Sequence, residues 1–206
     1  MSANRNIYIV GLTGGIASGK SEAARFLEEA GAHTLDADAI SHALTAPEAP
    51  MLKDIREVFG DGVFNEDGTL NRAALAEIVF SDPEMRRRLD GLIHPAVQKA
   101  MLDEVETAEK NGEKLVFLNV PLLFETGMDT LCDETWLVSA SEDTQLKRLT
   151  ERDGVTIEQA SARINSQMRL EDKIARANVV IENNRTLEKL KNEVQSLYSS
   201  LLKKIN

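Results

Sequence analysis

Very little in this 206-residue chain favours a covalently stapled or membrane-bound protein. It has one cysteine, Cys132, so an internal disulfide framework is impossible and a reducing cytoplasm suits it. With no His partner nearby in sequence, that thiol reads as a packing residue rather than a nucleophile. No apolar run approaches transmembrane length, and residues 1–6 lead straight into a short apolar stretch, so neither a signal peptide nor a membrane partner is expected. Positive charge is also in short supply. Lys and Arg number 24 against 34 Asp and Glu, a net charge of −10. That disfavours a duplex DNA or RNA binder, whose affinity rests on neutralising phosphates. Internal repeats and low-complexity linkers are absent as well. What remains is 42% hydrophobic residues, enough for the core of one moderately sized unit with smaller subdomains.

One stretch organises the chain. Gly14 to Ser21 fits G-x-x-x-x-G-K-[ST], the phosphate-cradling P-loop. Before it, Ile7 to Val10 reads as a buried strand. After it, Ser21 to Ala30 reads as a helix. Strand, glycine loop and helix come in the order the motif requires. Gly14, Gly15 and Gly19 have no Cβ, so backbone N–H groups can approach phosphate oxygens closely. The following helix adds unpaired N–H groups and the positive end of its dipole. Lys20 brings a mobile point charge to the β- and γ-phosphates, and the Ser21 hydroxyl is placed to ligate Mg²⁺.

The rest follows an α/β pattern. His33 to Asp36 reads as a second strand ending in Asp36-Ala37-Asp38, which puts acids at the carboxyl edge of a parallel sheet. Asp38 reads as an N-cap for a helix starting near Ala39. Asp36 could hold an attacking hydroxyl, accept its proton or bind Mg²⁺ through water. Residues 39–110 look helical with breaks: Met51 to Phe59, then Asn71 to Phe80 capped by Asn71. A third helix runs from Pro83 to His94-Pro95, and a fourth to about Lys110. Read alone, His94 and Arg86 to Arg88 are ordinary packed or solvated residues. Leu115 to Val120 reads as a central strand, and no aspartate ends it, so the usual Walker B metal acid is missing and its duties shift toward Asp36. Glu134 to Val138 reads as a fourth strand, with Trp136 in the core.

Ser141 to Arg152 reads as a helix with Arg148 and Arg152 one turn apart on one face. Thr156 to Met168 and Leu170 to Ala177 read as helical pieces of a mobile lid. Residues 147–176 carry seven cations and five anions, +2 against −12 for the remainder. Asn178 to Ile181 reads as a fifth strand, and Leu187, Leu190, Val194, Leu197, Leu201 and Ile205 mark a last helix packed on the sheet.

Several segments together resemble the dephospho-CoA kinase family. They are Gly11 to Ser21, Asp36-Ala37-Asp38, Leu89 with Ile93-His94-Pro95, Pro121-Leu122-Leu123-Phe124-Glu125, Gln145 to Leu149 with Arg152-Asp153, Gln167, and Ile181-Glu182-Asn183. They come in the right order along essentially the whole chain. The resemblance implies a P-loop NTPase fold: a five-stranded parallel sheet flanked by helices, a helical substrate-binding subdomain and a helical lid. The implied boundaries are a core of about 1–38, 112–147 and 177–206, an acceptor-binding insertion of about 39–111, and a lid of about 148–176. It implies transfer of the γ-phosphate of ATP to the ribose 3′-hydroxyl of dephospho-CoA, with Mg²⁺ held at Ser21.

Carried onto this chain, Gly14, Gly15, Ile16, Ala17, Ser18, Gly19, Lys20, Ser21 and Glu22 hold ATP, and Asp36 is the base or hydroxyl-orienting acid. Arg148, with Arg152, neutralises the transferring phosphoryl group from the lid. Asp38, His94, Leu122, Phe124 and Glu125 lie along the acceptor site. A cytoplasmic monomer or weak homo-oligomer is expected. Two departures from the family pattern are visible. Ala17 stands where glycine is commoner and demands an ordinary φ, and Asn178 replaces a frequent aspartate.

Rival readings lack their own marks. A shikimate kinase needs a later triple-glycine substrate motif, and none exists. A GTP-binding switch needs Asn-Lys-x-Asp and Asp-x-x-Gly, and the chain has neither. Phosphorylation of another small alcohol or a nucleotide, and a non-catalytic nucleotide-binding regulator, remain open on residues alone.

Overall fold

The computed structural model describes residues 5–205. In chain order it contains β1 (Tyr8–Gly14), α1 (Lys20–Glu29), β2 (His33–Asp36), α2 (Ala37–Leu44), α3 (Met51–Phe59), α4 (Arg72–Ser81) and α5 (Pro83–Lys110). Then follow β3 (Leu115–Asn119), β4 (Glu134–Ser139), α6 (Glu142–Asp153), α7 (Ile157–Asn165), α8 (Leu170–Arg176), β5 (Val179–Glu182) and α9 (Leu187–Ile205). The strands form one sheet in the order β2-β3-β1-β4-β5, and every pair is parallel. This is the five-stranded P-loop architecture the sequence predicts.

The strands are apolar on both faces, as a parallel sheet covered on both sides demands. Alternate residues sort to opposite sides. Val10, Leu12, Phe117, Trp136, Val138 and Ile181 join Ala23, Phe26 and Leu27 of α1 and Leu190, Val194, Tyr198 and Leu201 of α9 in one cluster. Phe117 meets Trp136 edge-on, with ring centroids 5.2 Å apart. Ile9, Val116, Leu118 and Leu137 are also fully buried. Each such side chain contributes about 1.5–3 kcal/mol by leaving water. Cys132 accompanies this core as a half-buried thiol, and burial, with Asp129 nearby, pushes its pKa up to about 12. It stays protonated at neutral pH, as a packing residue should.

The chain divides into two compact units, Met1–Asp36 with Val105–Asn206, and Ala37–Glu104. The second has a core of its own, Met51, Ile55, Val63 and Leu75, with Phe59, Leu89, Ile93 and Ala96 packed against it. Asn71 caps α4 by accepting from the Ala74 amide at 3.0 Å, as its position predicts.

Two expectations fail in this stretch. The break expected at His94-Pro95 does not occur, and α5 runs through Pro95. The missing amide costs about 3 kcal/mol. Burial on both sides of it, at Ile93 and Ala96 and at Val97 and Met101, outweighs that cost. Asp38 is not an N-cap either, because α2 starts at Ala37 and Asp38 lies within its first turn. An acid there still faces the favourable end of the helix dipole.

Candidate active site

The loop after β1 owes its shape to hydrogen bonds on its outer side. Gln145 Nε2 donates to the Ile16 carbonyl at 2.6 Å. Arg148 Nη1 donates to the carbonyls of Ala17 at 3.3 Å and Ser18 at 3.2 Å, and Asn183 Nδ2 also reaches Ser18 O at 2.8 Å. Arg148 Nη2 closes the set on Asn183 O at 2.9 Å. Gly19, the N-cap of α1, has φ +97° and offers no side-chain cap. A Cβ there would sit 2.1 Å from Asn183 Nδ2, so only glycine fits. The first-turn amides of α1 are thereby left to an anion.

Ala17 overturns an expectation. Its φ is +57°, in the left-handed region, not the ordinary conformation an alanine was expected to demand. The strain is about 1–2 kcal/mol, and the bonds on the carbonyls of Ile16, Ala17 and Ser18 hold the residue there. Ala17→Gly should therefore leave the melting temperature unchanged or raise it. The same change at an ordinary φ costs about 0.5–1 kcal/mol, so a clear drop in thermal unfolding would contradict this. The other departure is benign: Asn178 uses Oδ1 as an acceptor, from Thr135 N at 2.8 Å and Thr135 Oγ1 at 2.9 Å, and an aspartate oxygen could do the same.

From the loop a polar line crosses the carboxyl edge of the sheet. Lys20 Nζ donates to Asn119 Oδ1 at 2.5 Å, and Asn119 Nδ2 donates to Asp36 Oδ2 at 2.6 Å. Register explains the meeting, because Asp36 on β2 is the direct partner of Asn119 on β3. Asn119 is only 5% exposed and ends β3 where a Walker B acid was sought. It bridges the loop cation to the strand-end acid, a role sequence reasoning missed. The detectable signal was a lone amide closing the otherwise apolar Leu115–Asn119.

The remaining predicted residues fall in varied surroundings. Ser21 is exposed as the second residue of α1, and Glu22 bonds Arg25 at 2.6 Å. Arg148 was expected to reach the phosphoryl group from the lid. It belongs to α6, and its guanidinium bonds the loop carbonyls and Asn183 O. Arg152 lies on Asp153 at 2.7 Å, and Asp153 also takes Arg163 at 2.8 Å.

Leu122, Phe124 and Glu125 follow β3, but α8 and the turn before it hold much of this segment. Glu125 Oε1 accepts from Met168 N at 3.1 Å and lies 2.8 Å from Lys173 Nζ. Arg176 donates to Phe124 O at 3.2 Å and stacks over its ring, leaving Phe124 only 3% exposed. In the second unit, His94 is half-exposed and 3.7 Å from Asp90 on its own helix. Gln145, Gln167 and Asn183 entered the sequence reading as members of matching segments without individual roles. All three hold loop residues.

A glycine loop with outward-pinned carbonyls, an uncapped helix start and a lysine in line with a strand-end acid is the arrangement of a phosphoryl-transfer site. The family model for dephospho-CoA kinase matches residues 8–189. The chain belongs to the dephospho-CoA kinase family. As a member it is an ATP-dependent kinase that phosphorylates dephospho-CoA in coenzyme A biosynthesis.

The dephospho-CoA kinase of Symbiobacterium thermophilum is 44% identical over 92% of this chain and 80% of its own length. That of Listeria innocua is 43% identical over 90% and 92%. Among solved structures, a Thermus thermophilus protein superposes with TM-score 0.81 at 35% identity, covering 95% of this chain and 98% of its own. The Campylobacter jejuni dephospho-CoA kinase gives 0.72 at 26%, covering 94% and 96%. A shikimate kinase from Acinetobacter baumannii, at 16% identity and TM-score 0.54, shares the fold. Among the described residues, no helix is long and apolar enough to cross a membrane.

Proposed function

We propose that the acceptor atom is the ribose 3′-hydroxyl of dephospho-CoA and that Asp36 receives it. The observation that carries this reading is the line from Lys20 through Asn119 to Asp36, with contacts of 2.5 and 2.6 Å. It sets the cation that meets the γ-phosphate and the acid that meets an alcohol at a fixed spacing. The Asn119 amide can serve both only in one orientation, oxygen to the ammonium and N–H to the carboxylate. Asp36 then holds the alcohol for in-line attack and takes its proton as the new bond to the γ-phosphorus forms and the bond to the bridging oxygen of the departing ADP breaks. Lys20 and the amides around Gly19 stabilise charge on the phosphoryl oxygens, and Arg148 adds its charge from behind the loop.

Magnesium fits this donor set. No cluster of three or more His, Cys, Asp or Glu able to hold a metal occurs among the described residues. A Mg²⁺ that keeps most of its waters needs only the exposed Ser21 hydroxyl and the nucleotide's phosphates. Bound there, it would supply positive charge that offsets the charge of the nucleotide's phosphates. The Ala37–Glu104 unit is the acceptor-binding insertion, and residues of about 148–176 form the lid that excludes water. The protein works in the cytoplasm as a monomer or weak homo-oligomer, without nucleic acid.

The test is ADP release with ATP and Mg²⁺ over a panel of alcohols: dephospho-CoA, its 3′-deoxy analogue, shikimate and nucleoside monophosphates. Turnover with dephospho-CoA and none with the 3′-deoxy analogue is the expected result. Equal turnover with both would defeat the 3′ assignment.

A further inference from the structure

Both backbone polar groups of Ile16 are held by glutamines from distant parts of the chain. Its N–H donates to Gln167 Oε1 at 2.9 Å, and its carbonyl accepts from Gln145 Nε2 at 2.6 Å. Gln145 is buried in α6, and Gln167 lies in the turn between α7 and α8. Among the described residues no peptide bond is cis. In a trans peptide the C=O and the next N–H point in opposite directions. Anchoring Ile16 O on Gln145 therefore turns the Ala17 N–H away from α6. Anchoring Ser18 O on Arg148 and Asn183 does the same for the Gly19 N–H. The Ser18 N–H between them closes a turn on Gly15 O at 3.1 Å. The approach of Gln145 needs Gly15 to stay glycine, because a Cβ there would lie 2.7 Å from Gln145 Nε2. The same two glutamines, with Met168 and Lys173, border a cavity of about 360 Å³ beside the loop.

We propose that Gln145 and Gln167 are positioning residues for the nucleotide's outer phosphates: Gln145 aims the Ala17 amide, and Gln167 ties that setting to the position of the α7–α8 turn. This rests on the phosphate-holding role of the loop. Neither glutamine touches the reacting atoms. Both act through one residue, Ile16, on the two peptides that flank it, and the second makes the grip on phosphate depend on where α7 and α8 lie.

Calorimetric titration of the full chain with ATP, ADP and AMP tests it. Gln145→Met keeps the side chain's length and removes the donor. It should weaken ATP and ADP about tenfold, the cost of one misdirected bond to a charged group, and leave AMP within about twofold of wild type. A general loosening of the fold would weaken all three alike, and that result, or unchanged ATP affinity, overturns the proposal. A second route needs only differences. Gly15→Ala should weaken ATP in the wild-type background by displacing Gln145, and change it little in a Gln145→Ala background. Additive losses overturn the proposal.

The Gln167 half is read by limited trypsin cleavage around Arg163 and Arg169. ATP should slow cleavage in the wild type and not in Gln167→Met. Equal protection in both sinks the coupling. If the wild-type chain bound no ATP, the reading of the loop itself would fall. Wild-type binding with an unaffected Gln145→Met removes only this inference.

Discussion

Asp36→Asn lowers kcat with dephospho-CoA by about 10²–10⁴-fold, the range of a positioned general base, while the dissociation constant for ATP moves by less than about threefold. The substitution keeps shape and an acceptor oxygen for Asn119 Nδ2, so the sheet edge keeps its geometry. It removes the negative charge that can take a proton from the alcohol. The nucleotide's grip comes from other groups, the amides around Gly19 and Lys20, and these are untouched. Steady-state ADP release and calorimetric ATP binding on the same preparation separate the two effects. A variant that retained near-normal turnover would strip Asp36 of its role. One that lost ATP binding would show that Asp36 serves the loop rather than the acceptor.

The second large effect is on stability and concerns Glu125. The Lys173 side chain is 1% exposed, its Nζ lies 2.8 Å from Glu125 Oε1, and the Glu125 side chain is itself only 21% exposed. The contact is an ion pair by distance, although Nζ makes no well-directed hydrogen bond among the described residues. The geometry therefore gives up part of what a charged hydrogen bond could contribute. Two desolvated charges gain little as a pair, but removing one leaves the other without compensation.

Glu125→Ala should thus destabilise by about 3–5 kcal/mol, a fall in melting temperature of roughly 10 °C for a chain of this size. Lys173→Met alone should cost less, because Glu125 retains the Met168 amide at 3.1 Å and some access to water. In the double variant Glu125→Ala/Lys173→Met, most of the loss should return. Additive losses in thermal unfolding would show that the two side chains act separately. The pair also bears on function, since it fastens α8 to the segment after β3, where an acceptor contact was expected of Glu125.

What could be read in the chain without coordinates was what is local. The phosphate loop carries its chemistry in eight consecutive residues, and the sheet strands announce themselves as apolar runs bounded by glycine, asparagine and aspartate. Asn71 caps its helix from a position visible in sequence. What escaped depends on partners far apart. Arg148 reads as a free cation on a helix face until α6 packs on the loop and its guanidinium meets carbonyls some 130 residues earlier. Asn119 reads as a missing acid until register sets it beside Asp36. The left-handed φ at Ala17 is invisible because the bonds that impose it come from Gln145 and Arg148, not from its neighbours. Pro95 misleads for the opposite reason: its local signal is genuine, and tertiary burial overrules it.

The central claim is that the loop amides and Lys20 grip the donor phosphates while Asp36 holds the acceptor alcohol across a gap fixed by Asn119. A crystal structure of the ternary complex, with dephospho-CoA, Mg²⁺ and a non-hydrolysable ATP analogue, tests it most directly. The account predicts the ribose 3′-oxygen within about 2.6–3.2 Å of an Asp36 carboxylate oxygen, with the outer phosphates on the Ala17 and Gly19 amides. A complex in which the 3′-oxygen met another residue, with Asp36 turned from it, would contradict it.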